Sequence, residues 1–242
     1  MTRGEGACLI CGKPLIYSET ARELECSICH RKFRSHASCE DGHYVCDHCH
    51  AEKGIRTIME YCLSTTSGNP VQIMQEIMED PYIYMHGPEH HILVGAALLT
   101  AFHNCGGEID LEQALNEMKE RGSQYPGGSC GLWGCCGAAV STGMFISIVT
   151  KATPLTGKSW RLCNLMTSRA LHHIAMLGGP RCCKRNSFTA ALEAVSFVKE
   201  QFGIEMELPD RILCSFSPEN RQCLKNHCPY HIEDGPALSG NE

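Results

Sequence analysis

The sequence predicts a mainly α protein: a helical bundle domain preceded by a small zinc-knuckle module of zinc-ribbon or treble-clef-like kind. Two observations carry this. Seven of the 18 cysteines fall before residue 50, in a stretch with few large aliphatic residues. After residue 70, apolar residues recur at helical spacing between recognisable start and stop signals. The 242 residues suit one medium core with a small appendage.

Residues 1–52 are expected to form the metal module. They cannot bury enough apolar surface to fold by packing alone, so metal must supply the folding force. Cys8 and Cys11, Cys26 and Cys29, and Cys46 and Cys49 form three CxxC pairs, and Cys39 and His43 lie between the second and third. A CxxC turn presents two thiolates to one ion, and zinc completes a tetrahedron from two such pairs. Eight ligands imply two zinc ions. Sequential sites would join Cys8, Cys11, Cys26 and Cys29, then Cys39, His43, Cys46 and Cys49; a cross-braced arrangement would exchange the second and third pairs. Iron is the alternative for the first site, because CLICGKPLIY resembles a rubredoxin knuckle.

Residues 53–69 are expected to be a linker, with a short helix over 55–67 ending at a polar STTSGNP break, and residues 70–208 a cysteine-rich helical domain. VQIMQEIMED starts behind Pro70, and LEQALNEMKERG behind Asp110 as N-cap. PEHHILVGAALLTAFHN is apolar on nearly every side, the mark of a buried central helix, and 136–151 is similar. A helix from Lys158 to Leu177 stops at Gly178 and Gly179. The last, NSFTAALEAVSFVKEQFG, is expected to be capped by Asn186 and to stop at Gly203. Residues 209–242 form a cysteine-rich tail.

Chemistry is sought in two glycine-rich loops, GGSCGLWGCCGAAVSTG with Cys130, Cys135 and Cys136, and GGPRCCKRNSF with Cys182 and Cys183. Each leads into a helix, whose N-terminal amides favour thiolate or a bound anion. The two loops can share one iron–sulfur cluster; reactive thiols without a cluster, zinc, and inert buried cysteines are the other readings. RCCKRNSFTAALEAV resembles the PCxxRNxxGAxxAI segment of iron–sulfur L-serine dehydratases, and GCCGAA is similar to their GCQAE segment. That resemblance implies Cys182 as a cluster ligand. The family's TCDP segment is AMLGGP here, so Cys163, Cys130 or Cys183 would have to supply the third ligand. CGAAVSTG also resembles part of the C-GCAxxG-C-C redox proteins. The whole chain, with its GHYVCDHCH knuckle and GGPRCCKRNSF loop, resembles a cysteine-rich family of anaerobic bacteria and archaea with a domain of unknown function. If an open iron is present, as in the dehydratases, it polarises a substrate hydroxyl or thiol, with Lys184 and Arg185 holding a carboxylate.

His90, or its neighbour His91, is the candidate general base. His86, Glu89 and His90 formally match an inverted zinc-protease pattern, but Pro88 is expected to open the helix and leave His86 outside it. In the tail, Cys214, Cys223, Cys228 and His231 are expected to hold one zinc, or an iron–sulfur cluster through the three cysteines. ATPLTGKS at 152–159 meets a relaxed phosphate-loop pattern but has no parallel sheet around it.

The expected function is metal binding, with structural zinc and an iron–sulfur cluster serving lyase-like or redox sulfur chemistry; the alternative is a non-catalytic zinc-binding interaction protein. The expected partner is a small-molecule substrate or a redox or sulfur-transfer protein. With 21 Lys and Arg against 27 Asp and Glu, a formal charge of −6 argues against nucleic acid. The longest apolar runs fall short of a membrane span. The opening MTRGEGACLICG has no apolar signal core, so a cytoplasmic protein with reduced, metal-ligating thiols is expected.

Overall fold

The computed structural model describes residues 8–232. The chain opens with a two-stranded antiparallel hairpin, β1 (Leu15–Glu25) and β2 (Lys32–Cys39). A register irregularity between Tyr17 and Arg22 lets the longer strand pair with the shorter one. Most residues of this hairpin are exposed or half-exposed, so it has little core of its own. The helices follow: α1 (Asp47–Ser64), α2 (Pro70–Met78), α3 (His90–Asn104), α4 (Leu111–Ser123), the single turn α5 (Ser129–Leu132), α6 (Gly137–Thr150), α7 (Gly157–Leu177) and α8 (Cys183–Phe202). Two short 3-10 turns, Ser217–Glu219 and Lys225–His227, order the last segment.

Local chemistry places most of these ends. Asn69 caps α2 by accepting the N–H groups of Val71 and Gln72, with Pro70 in the first turn. Asp110 caps α4 through the N–H of Gln113. Gly203, at φ 71°, ends α8 in the left-handed region where a side chain is strained. One expected start is corrected. Helix α8 begins at Cys183 and is capped by Cys182 rather than Asn186, because the Cys182 sulfur accepts the N–H of Arg185 at 3.4 Å.

Helix α3 is the centre of the bundle. It packs against α1, α2, α4, α6 and α8, and all but three of its residues are buried. This is why its sequence is apolar all round. Helix α6, nearly as apolar, packs on α3, α4, α7 and α8.

Helix α1 crosses the expected boundary at residue 52. It runs unbroken from the last CxxC pair to Ser64 and buries Ala51, Ile55, Ile58 and Cys62 in the main core. The polar spacing of its first half hides this, because only one narrow face is apolar. The metal module and the bundle therefore share a helix. At the other end, Ile212, Phe216 and Tyr230 seat the tail on the same core, and the Tyr230 hydroxyl meets that of Thr189 at 3.0 Å.

Candidate metal centres and the cavity beneath them

The hairpin decides which ligands meet. The first CxxC knuckle precedes β1 and the second follows it, so 11 residues of strand separate them, a length of about 30 Å. They cannot share an ion. Pairing of Leu15 with Cys39 brings the end of β2 back to the first knuckle. A bridge between Cys26 and Tyr44, with the Ser27 N–H donating to the Tyr44 carbonyl at 2.8 Å, brings the start of α1 to the second. The result is two interleaved sets, Cys8, Cys11, Cys39 and His43, and Cys26, Cys29, Cys46 and Cys49, each with all ligand atoms within 4.8 Å of one another. This is the cross-braced pairing.

The spacings fit a tetrahedral ion. Sulfurs bound at about 2.3 Å lie about 3.8 Å apart along a tetrahedron's edge. Cys11 and Cys39 are 3.7 Å apart, Cys29 and Cys46 3.9 Å, and the His43 Nδ1 lies 3.4 Å from the Cys39 sulfur. Each knuckle closes on a residue in the left-handed region, Gly12 after the first and His30 after the second, and the freed amides turn toward sulfur. Burial pushes the Cys26 thiol up, but the N–H groups of Cys29, Cys46 and Ile28 outweigh it and bring it down to about 6. Cys39 is likewise opposed by burial and lowered to about 7 by the N–H groups of His43 and Asp41. These thiols are prepared to bind as thiolates. With four protein ligands each, such sites leave no open position for substrate.

The module leans on the bundle through the first turn of α1. Asp47 accepts the N–H of Gly127 at 2.7 Å. His50, directly after the ligand Cys49, stands edge-on to Tyr84 at 4.7 Å, and its Nδ1 lies 3.3 Å from Oε2 of Glu89. Glu89 is fully buried. Burial pushes its carboxyl up, but His50 and His90 on either side hold it well below the usual carboxylate range. Glu89 thus belongs to no helical protease pair: Pro88 precedes α3, and His86 lies outside the helix as the sequence suggests.

Between module and bundle lies a cavity of about 180 Å³. Tyr17, His43 and His50 line its upper side, and His86, His90 and His91 its floor. Cys130, Cys136, Cys183 and Arg181 complete the wall. Burial pushes all three floor histidines down, His86 to about 3 with help from the Arg181 charge. They are therefore neutral near pH 7 and present lone pairs. His91 directs its Nδ1 to the Tyr125 carbonyl at 3.0 Å. His90 Nε2 and His86 Nδ1 are buried and have no hydrogen-bond partner. Burial pushes Cys183 up to about 12 and raises Cys136, whose sulfur accepts the amide of Asn186 at 3.4 Å.

The adjacent Cys182 and Cys183 face different spaces. Cys183 faces the cavity. Cys182 lines a separate enclosed space with Cys214, Cys223, Cys228 and His231. The expected cluster cysteines, Cys135, Cys136, Cys182 and Cys183, therefore do not line one common space. Cys135 lies half-exposed, its carbonyl accepting the Tyr125 hydroxyl at 2.8 Å. Cys163 is farther away. It sits on α7 against Ser147 and Thr150, at the opposite end of α6 from Cys136, about 15–20 Å along the helix.

Neither Lys184 nor Arg185 lines the cavity, although Arg185 lines the adjoining open pocket with Arg181, Cys130 and Cys136. Lys184 is fully buried, with Nζ donating to the Ile83 carbonyl at 3.2 Å and stacked over Phe216. Arg185 donates to the carbonyls of Gly178 and Pro180. The cation at the cavity is Arg181, which the sequence reading passed over although it opens the same RCCKRN segment. The phosphate-loop likeness also dissolves: Thr153 and Thr156 close a local turn before α7, and the element directly before it is helix α6 rather than a strand.

Comparison with family descriptions matches residues 58–231 to DUF5714, a family of unknown function. The chain belongs to that family. The DUF5714 match begins within α1 and spans the cavity floor, both cysteine loops and the tail. The eight ligands of the interleaved sites precede it. No curated protein and no solved structure matches the chain, so the likeness to L-serine dehydratases and C-GCAxxG-C-C proteins rests on the short segments quoted above. Among the described residues no helix is long and apolar enough to cross a membrane.

Proposed function

We propose that this DUF5714 protein acts on a small anionic molecule held in the cavity, with two structural zinc ions fixing the module that roofs it. The observation that carries the reading is a set of buried imidazole nitrogens without a hydrogen-bond partner in residues lining that cavity, His90 Nε2, His86 Nδ1 and His50 Nδ1, the last of which faces Glu89 Oε2. A buried polar atom without a partner costs about 1–3 kcal/mol, and a bound ligand's hydrogen-bond donors would relieve that cost.

The residue set suits lyase-like proton transfer. Arg181 supplies the charge for a carboxylate, neutral His90 can accept a proton at Nε2, and the Cys136 and Cys183 thiols, kept protonated by burial, add weak hydrogen-bonding groups. Zinc fits the N-terminal sites by donor set and edge length, and its task there is to hold the roof in place.

The test is a thermal-shift panel of L-serine, malate, citrate and L-cysteine on zinc-loaded protein. A ligand at a hundred times its Kd stabilises by about 2.7 kcal/mol, a shift of several degrees. The expected result is a shift with at least one member that Arg181→Ala and His90→Gln both abolish. No shift with any of them, or a shift that both variants retain, contradicts the reading.

A further inference from the structure

The enclosed space beneath the last segment is lined by four cysteines that are far apart in sequence, Cys182 from the cap of α8 and Cys214, Cys223 and Cys228 from the tail. We propose that these four thiolates ligate one four-iron, four-sulfide cluster. The proposal does not depend on the cavity reading.

Three observations support it. The sulfurs already receive donors: Cys182 from the Arg185 N–H and the Asn220 amide, each at 3.4 Å, and Cys223 from the Lys225 N–H at 3.3 Å. Hydrogen bonds to sulfur and burial are the means by which a protein holds an anionic cluster and sets its potential. The charge is matched too, since Lys184 and Arg185 line the same space, amid the apolar Met85, Phe216 and Tyr230. The spacing is the third. Among the described residues, the sets whose ligand atoms all fall within 4.8 Å are the two N-terminal ones. A single tetrahedral ion needs edges of about 3.8 Å. The tail thiols line one space but do not form such a tight set, and a polynuclear cluster holds its thiolates farther apart than a single ion does.

The fold of the tail agrees. Between Cys214 and His231 the chain makes only two 3-10 turns and one bridge joining its ends, so a metal centre would supply much of its order. His231 lines the space as well, and its buried Nδ1 has no partner; a cluster sulfur would give it one. Four thiolates leave no open iron, so the cluster would store an electron or brace the tail. It would not act as a Lewis acid.

The full chain, purified without oxygen and reconstituted with ferrous iron and sulfide, tests this. We expect about four irons and four labile sulfides per chain, with visible absorption lost at least fivefold in Cys182→Ala and Cys214→Ala and retained in Cys136→Ala. A further measurement needs no variant. Bound cluster should protect Cys182, Cys214, Cys223 and Cys228 from iodoacetamide, mapped by peptide mass spectrometry, while Cys130 and Cys135 react. Zinc without iron or sulfide, a cluster that survives loss of both Cys182 and Cys214, or protection of Cys130 and Cys135 instead of the tail would each overturn the proposal.

Discussion

Oε2 of Glu89 lies 3.3 Å from Nδ1 of His50, and this contact ties the residue after a metal ligand to the floor of the cavity. The other carboxylate oxygen accepts the Tyr84 N–H at 3.1 Å and lies 3.4 Å from His90 Nδ1. Removing one member of such a buried set leaves the others desolvated and unpaired, at about 3–5 kcal/mol. Glu89→Ala is expected to lower the unfolding free energy by that amount in urea titrations, and a loss under 1 kcal/mol would mean the contact is incidental.

Gly87 is required by the same carboxylate. A Cβ built there would lie 2.1 Å from Glu89 Oε2, so the charge would have to leave its partners. Gly87→Ala is expected to cost about 1–3 kcal/mol and to weaken any ligand that Arg181 and His90 bind. Thermal unfolding and the ligand panel read both effects.

Acid should destabilise the protein in a definite order. His86 in the folded state binds a proton only near pH 3, against 6.5 ordinarily. The unfolded chain takes up that proton first, so stability falls as pH drops from about 6.5 toward 3. Glu89, held low, adds a loss below its ordinary value of 4.5. Unfolding free energy measured between about pH 7 and 5, where zinc content is unchanged, should decline in the wild type and decline less in His86→Asn.

Helix α1 is shared by the module and the bundle, so the two are expected to unfold as one cooperative unit. Ile58 on that helix is completely buried, and Ile58→Ala is expected to cost about 2–5 kcal/mol. It should lower one shared unfolding transition of the zinc-loaded chain. Two separate transitions, only one of them moved, would contradict a shared helix.

The bundle was legible in the sequence because its signals are local. Pro70, Asp110, Gly178 and Gly203 mark helix ends by capping and backbone chemistry, and α3 declares its burial by being apolar on nearly every face. The metal ligands were equally plain. Their pairing was not, since it depends on the hairpin that carries the first two knuckles to opposite ends of β1. The cysteine loops misled for a related reason. Cys182 and Cys183 look like one unit, but the cap residue and the first residue of a helix point apart, and only the returning tail shows where Cys182 faces. Arg181 carried no spacing signal, and the only one at Glu89 was the misleading protease pattern. Their importance comes from what they touch.

The central claim is the interleaved metal roof, and paired variants test it most directly. Cys8→Ala with Cys39→Ala damages one site in the cross-braced arrangement, whereas Cys8→Ala with Cys26→Ala damages both. Zinc retained against a competing chelator should be one high-affinity ion per chain for the first pair and none for the second. The reverse result would show that the knuckles bind metal in sequence order and would contradict the account.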